Sequence, residues 1–181
     1  MKILKSGPVV WITGLSGAGK SSLGFAFSDL LRTRGYPVVI LDGDSLRLAL
    51  QNLLPEKKIE TFDRAFRLKL AKTYASIAHE MSSQGVFVVV ATVSLFWEVQ
   101  NASRNSIDDY FEVLLEAPKE LLIERRRARA GFQGGDFVGV EIDAEFPETP
   151  ELIISSEDTS TVEESLAMLT SSFDSWFRGR K

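Results

Sequence analysis

The 181 residues contain no cysteine and one histidine, His79. Without cysteine there are no disulfides, no thiolate metal sites and no cysteine nucleophiles, and a reducing cytoplasm is the expected location. His79 falls far along a helical pattern and reads as a surface or packing residue, so it is assigned no role. Long apolar runs are lacking too: the longest, from Val86 to Val93, is interrupted by Thr92 and is far too short to span a bilayer. Met1 to Pro8 lack the hydrophobic stretch of a signal peptide, so a soluble protein with no membrane partner is expected. A formal net charge of −4 leaves no broad basic footprint for nucleic acid, and any basic site must be local. Internal repeats and low-complexity linkers are also missing. With 44% hydrophobic residues, the chain is long enough for one sizeable core and too short for two typical domains, so a single α/β domain over residues 1–181 is expected.

The rest of the chain is organised around residues 9–34. Val9-Val10-Trp11-Ile12 is a short apolar strand, and Gly14-Leu15-Ser16-Gly17-Ala18-Gly19-Lys20-Ser21 follows at once, with Ser22 opening a helical period that runs to Arg34. The loop fits G-x-x-x-x-G-K-[ST] in full and lies in the strand-to-helix context that the motif requires. Its glycines allow successive N–H groups to turn inward onto phosphate oxygens, Lys20 brings a cation to the terminal phosphates, and the Ser21 hydroxyl can join the shell of a Mg²⁺ ion. The helix presents its positive end to the same anion. These residues imply binding of a nucleoside triphosphate.

Further along, strands and helices alternate. Leu23, Phe27, Leu30 and Leu31 line one face of the first helix, which should stop at Gly35, and Val38 to Leu41 form a second strand. Asp42-Gly43-Asp44 lies just past that strand, where a parallel sheet places its ligand crevice. Next to a phosphate loop the two carboxylates suit a metal or a proton acceptor, and Asp44 could also cap a helix beginning at Ser45. Arg47 is close enough to meet another anion. Thr61 to Ser83 has the spacing of a long helix with Arg64, Arg67, Lys69 and Lys72 on its polar side, of which Arg64 and Arg67 are placed to reach a substrate. Strands follow at 86–91, 111–115 and 152–154, with Ser94 just beyond the first of these. Residues 124–131 place Arg125, Arg126, Arg127 and Arg129 ahead of Gly131, the pattern of a mobile lid over residues 124–135 that neutralises charge on a triphosphate. Residues 136–151 read as a ligand-covering loop. Thr161 to Glu164 has capping-box form, and Val162, Leu166, Leu169, Phe173 and Trp176 make a core stripe on the last helix.

With cradle, carboxylate pair and lid in place, the chain resembles the P-loop kinases of small molecules, and in detail the adenylylsulfate (APS) kinase family. The resemblance is carried by the loop 14–21, Leu41-Asp42-Gly43-Asp44-Ser45-Leu46-Arg47, Asp63-Arg64, Ser94, Phe111-Glu112-Val113, Ala128-Arg129-Ala130-Gly131, Phe137-Val138-Gly139-Val140, and Glu145, Pro147, Glu148, Pro150 and Glu151. It implies a three-layer α/β fold with a five-stranded parallel sheet, and transfer of the γ-phosphoryl of MgATP to the ribose 3′-hydroxyl of a nucleotide anhydride, APS by default. In that picture Asp44 accepts or orients the hydroxyl proton, Asp42 supports Mg²⁺ through water beside Ser21, and Lys20 steadies the leaving charge. Residues 14–22 with Arg125 and Arg129 hold ATP. Arg47, Arg64, Arg67, Ile59, Ser94 and Phe137 line the acceptor site, with Phe137 stacking on the base. A homodimer is expected by analogy.

This chain departs from the family pattern on the acceptor side. Ile59 stands where the family places a second stacking aromatic, Arg67 replaces an asparagine, Leu95 replaces the proline after the serine, and the lysine-rich lid segment between Arg125 and Ala128 is almost gone. An alternative acceptor with a smaller pyrimidine base, such as a cytidine diphosphate carrying a phosphoramidate, would tolerate the loss of an aromatic. From other classes, a non-catalytic nucleotide-binding regulator is disfavoured by the retained Lys20, Asp42 and Asp44. An ATPase that moves a partner is disfavoured by the lack of a second such domain.

Overall fold

Apolar runs rich in β-branched residues become strands covered on both faces, as parallel sheets require. A computed structural model describes residues 4–50, 63–127, 143–156 and 161–180. In chain order the elements are β1 (Val9–Gly14), α1 (Lys20–Thr33), β2 (Val38–Asp42), α2 (Gly43–Ala49), α3 (Arg64–Ser83), β3 (Phe87–Ala91), α4 (Trp97–Ser106), β4 (Tyr110–Glu116), α5 (Lys119–Arg127), β5 (Leu152–Ser155) and α6 (Val162–Arg178). The strands form one parallel sheet in the order β2-β3-β1-β4-β5. The expected α/β class and five-stranded parallel sheet are therefore present.

Alternation along the strands divides the core in two. Val10, Ile12, Val89, Phe111 and Val113 point to one side and pack with Leu23, Phe27 and Leu31 of α1 and Leu169 and Phe173 of α6. Val9, Trp11, Leu41, Val88 and Val90 point to the other, against Ala71, Tyr74 and Ala78 of α3 and Val99 of α4. The result is three layers, with the sheet in the middle. The rings of Phe27 and Phe111 meet Phe173 edge-on at 5.4 and 5.5 Å, which fixes α6 over the sheet.

Local signals set most element ends. Gly35 and Gly85 have φ of +83° and +81° just past α1 and α3, the expected positions for glycine stops. Thr161 Oγ1 accepts from Glu164 N at 3.2 Å, and the Glu164 carboxylate accepts from Thr161 N at 3.2 Å, so the capping box is complete. Val162, expected in the core stripe, is instead exposed at the first position of α6, while Leu169 and Phe173 further along are buried. His79 is exposed on α3. Among the described residues no helix is long and apolar enough to cross a membrane.

Helix α4 was not legible. Trp97-Glu98-Val99-Gln100-Asn101-Ala102-Ser103-Arg104-Asn105-Ser106 contains weak helix formers, and its N-cap residue, Phe96, has no capping side chain. The cap comes from elsewhere: Glu145 Oε2 accepts from Trp97 N at 2.7 Å, and the Glu145 carbonyl accepts from Gln100 Nε2 at 2.9 Å.

At its other end α4 carries Arg104, which ion-pairs with both Glu151 and Glu112. Glu112 lies in the middle of β4, 1% exposed, and also accepts from the Tyr110 hydroxyl at 3.1 Å. Burial pushes the Glu112 carboxyl above its usual range while Arg104 and Tyr110 pull it down. Removing one partner of such a group leaves a charge unpaired in the interior. Because Arg104 is a third exposed, the loss in Arg104→Met should be about 2 kcal/mol, a fall in Tm of about 5 °C in a thermal melt. Restoration of much of that Tm by a second change, Glu112→Leu, would identify the unpaired carboxylate as the cause.

Candidate active site

The loop that joins β1 to α1 is built on itself. Gly14 has φ of +143°, and a Cβ there would collide with the Leu115 carbonyl of β4, so only glycine brings the loop this close to the sheet. Gly17 and Gly19 also take positive φ, and Gly19 is the residue from which α1 starts. Lys20, 8% exposed, donates from Nζ to the Leu15 carbonyl at 2.7 Å across the loop. Ala18 N donates to the same carbonyl at 3.2 Å. Leu15 packs against Leu95, Ser16 is half-buried and Ser22 is exposed. Arg125, near the end of α5, reaches the Gly17 carbonyl from Nη1 at 3.4 Å, so the lid helix meets the loop. Beside Leu15 lies a cavity of about 370 Å³ with apolar walls from Leu115, Pro118 and Leu122 and polar edges from Glu116, Lys119 and Ser155.

The C-terminal ends of β2 and β3 close the other side. The Ser21 hydroxyl donates to Asp42 Oδ2 at 2.6 Å, joining the start of α1 to the end of β2. Asp42, 6% exposed, also accepts on Oδ1 from the backbone N–H groups of Asp44 and Ser45, each at 3.1 Å. This corrects the sequence expectation of a helix capped by Asp44 and starting at Ser45. The helix starts at Gly43 and Asp42 is its cap, because Asp42 holds the extended backbone of a strand end, which a capping residue needs. Asp44 stands in the first turn of α2 and pairs with Arg47 one turn on; both side chains are substantially exposed.

A hydroxyl and a carboxylate oxygen side by side are hard donors of the kind that suit Mg²⁺, which takes few protein oxygens and completes its shell with water and phosphate. Among the described residues no group of three or more His, Cys, Asp or Glu could hold a metal alone. The donor chemistry of Ser21 and Asp42 fits an ion delivered with a triphosphate.

On the acceptor side, Arg64 is the first residue of α3, ion-paired with Glu145 and 5.4 Å from the Phe96 ring centroid. Arg67 follows one turn later and is half-buried. Lys72, on the basic face of the same helix, pairs with Glu98 at 2.5 Å. Ser94, 8% exposed, accepts on Oγ from the Thr92 hydroxyl at 2.8 Å just past β3. The sequence reading gave Glu145 no role. It holds Arg64 with one carboxylate oxygen and caps α4 with the other, so it ties the segment after residue 142 to both helices. Its only sequence signal was the spacing that the resemblance rests on. The expectations for Ile59, Arg129 and Phe137, most of the lid and residues 136–142 of the covering loop lie outside the described residues.

Residues 6–155 match the family model for adenylylsulphate kinase. A cytidine diphosphoramidate kinase of Campylobacter jejuni is 29% identical, covering 92% of this chain and 96% of its own length. An adenylyl-sulfate kinase of a Synechococcus is 33% identical, covering 88% of this chain and 90% of its own. Among solved structures, that of the Mycobacterium tuberculosis APS kinase in complex with AMPPNP and APS superposes with a TM-score of 0.79 at 27% identity, over 94% of this chain and 99% of that one. With a phosphate loop on β1, an acidic pair at the end of β2 and a match over most of its length, this chain belongs to the adenylylsulphate kinase family and is a phosphotransferase that acts on a hydroxyl group.

Proposed function

We propose that this protein, a single kinase domain over residues 1–181, transfers the γ-phosphoryl of MgATP to the ribose 3′-hydroxyl of a nucleotide anhydride, with APS as the default acceptor. The observation that carries this reading is the junction of Ser21 and Asp42 at 2.6 Å, with Asp44 two residues on. A hydroxyl and a carboxylate oxygen side by side, with a second carboxylate close by in sequence, support a Mg²⁺ site beside the phosphate loop. Residues 14–22 hold the triphosphate, with Lys20 crossing from the Leu15 carbonyl to the terminal phosphates and Arg125 and Arg129 covering them. When bound to Ser21 and Asp42, Mg²⁺ would neutralise charge on the β- and γ-phosphates. Asp44 accepts the proton of the attacking hydroxyl, and Arg47, Arg64 and Arg67 hold the acceptor's anionic groups. Phe137 stacks on the base and Ser94 lines the site. ATP and the acceptor are the partners, with a homodimer in a cytoplasmic setting.

A second reading keeps the chemistry and exchanges the base. It is favoured by Ile59, which offers no aromatic face, and by the similarity to the Campylobacter kinase whose name specifies a cytidine acceptor. The test for both is ADP release from MgATP with APS, cytidine diphosphoramidate and related anhydrides. Stacking on an aromatic supplies about 1 to 3 kcal/mol, so Ile59→Phe should raise kcat/KM for APS about tenfold relative to the cytidine acceptor. Efficient turnover of APS by the native chain, with pyrimidine acceptors ignored, would sink the second reading. ADP release with no acceptor in the panel would sink the first as well.

A further inference from the structure

Tyr74 lies on the sheet-facing side of α3, 3% exposed, in one buried cluster with Leu41 and Val90 near the C-terminal ends of β2 and β3. Its hydroxyl is buried and finds no hydrogen-bond partner among the described residues. A buried hydroxyl without a partner lowers stability, and phenylalanine would fill the same space without that cost. The hydroxyl sits within electrostatic reach of two residues of the acceptor crevice: burial pushes the phenol's pKa up, Arg47 draws it down and Asp42 adds a smaller upward push.

Arg47 folds back over the first turn of α2. A Cβ added to Gly43 would stand 3.6 Å from Arg47 Nη1 and 3.6 Å from the Ala91 carbonyl, and the neighbouring Leu46 packs against the cluster that holds Tyr74, so α2 keeps the guanidinium near the ends of β2 and β3. Its bond to Asp44 joins side chains that are 42% and 62% exposed. Water competes strongly for such a pair, and an arriving anion readily displaces the carboxylate. A guanidinium carries five N–H donors in a rigid fork, so it can serve an anion on one edge and a neutral oxygen on another.

We propose that Tyr74 is a positioning residue for Arg47: when the acceptor's anionic group draws the guanidinium from Asp44, the Tyr74 hydroxyl accepts one of its N–H groups and fixes it against the acceptor. This rests on the reading above of Arg47 as an acceptor ligand. The exchange gives the buried phenol oxygen a partner in the loaded site.

The test is a double-mutant cycle of Tyr74→Phe with Arg47→Ala, measured as KM for the acceptor and KM for ATP, with Tm as the check on folding. In the native background Tyr74→Phe should raise the acceptor KM about tenfold, leave the ATP KM unchanged and keep or raise Tm. In the Arg47→Ala background it should have no further effect. An unchanged acceptor KM, or the same penalty with and without Arg47, would overturn the proposal and leave the ring with a packing role alone. If the native chain turns over no member of the panel, the acceptor reading falls, and Tyr74 is judged by the rise in Tm that APS and CDP each produce on binding. A rise lost in Tyr74→Phe supports the positioning role, and an equal rise, or none in the native protein, overturns it.

Discussion

Lys20→Ala is expected to lower turnover by a hundredfold or more, about 3 kcal/mol of lost transition-state stabilisation. The ammonium is held at the turn into α1 and already spans the loop to the Leu15 carbonyl, so little reorganisation is needed to bring it to the β- and γ-phosphates. Charge builds there as the phosphoryl group leaves, and a nearly buried cation acts on it through a poorly screened path. The same burial means that Lys20 also stitches the loop together. Tm therefore has to be measured beside kcat, and the expected pattern is a collapse of kcat with a melting shift of a few degrees. Turnover near that of the native enzyme would remove Lys20 from the mechanism.

The second large effect is expected at Asp44. Because Asp42, not Asp44, caps α2, Asp44→Asn removes a charge without disturbing a helix end. A general base contributes about 10²- to 10⁴-fold, so the rate should fall by at least a hundredfold while Tm stays within about 2 °C of the native value. Asp42→Ala makes the control. It takes away both the cap and the partner of Ser21, so it should lose activity and also about 1 kcal/mol of stability. Parallel losses of Tm and rate in Asp44→Asn would assign Asp44 to structure.

Much of this protein was determined by local chemistry. The strand cores 9–12, 38–41 and 87–91 are runs that only a sheet covered on both faces can bury, and Gly35, Gly85 and the Thr161–Glu164 box mark helix ends because each acts within a few residues of itself. The phosphate loop was legible for the same reason: its geometry is made from the backbone of eight consecutive residues. The two carboxylates after β2 were visible as a pair, but their division of labour was not. Which of them caps and which faces solvent depends on where the extended strand backbone ends, a single-residue matter that periodicity does not resolve. What only the tertiary structure decided involves partners far apart in sequence. Helix α4 has weak propensity and is capped by Glu145, 48 residues on. Glu112 reads as one more position in an apolar strand until Arg104 and Glu151 are folded against it, from 8 and 39 residues away. Tyr74 has the spacing of a core residue, and its ring is one. The unpaired hydroxyl within electrostatic reach of Arg47 emerges only when α2 and α3 pack into one cluster on β2 and β3, because hydrogen bonding and charge depend on distance in space and leave no period in the sequence.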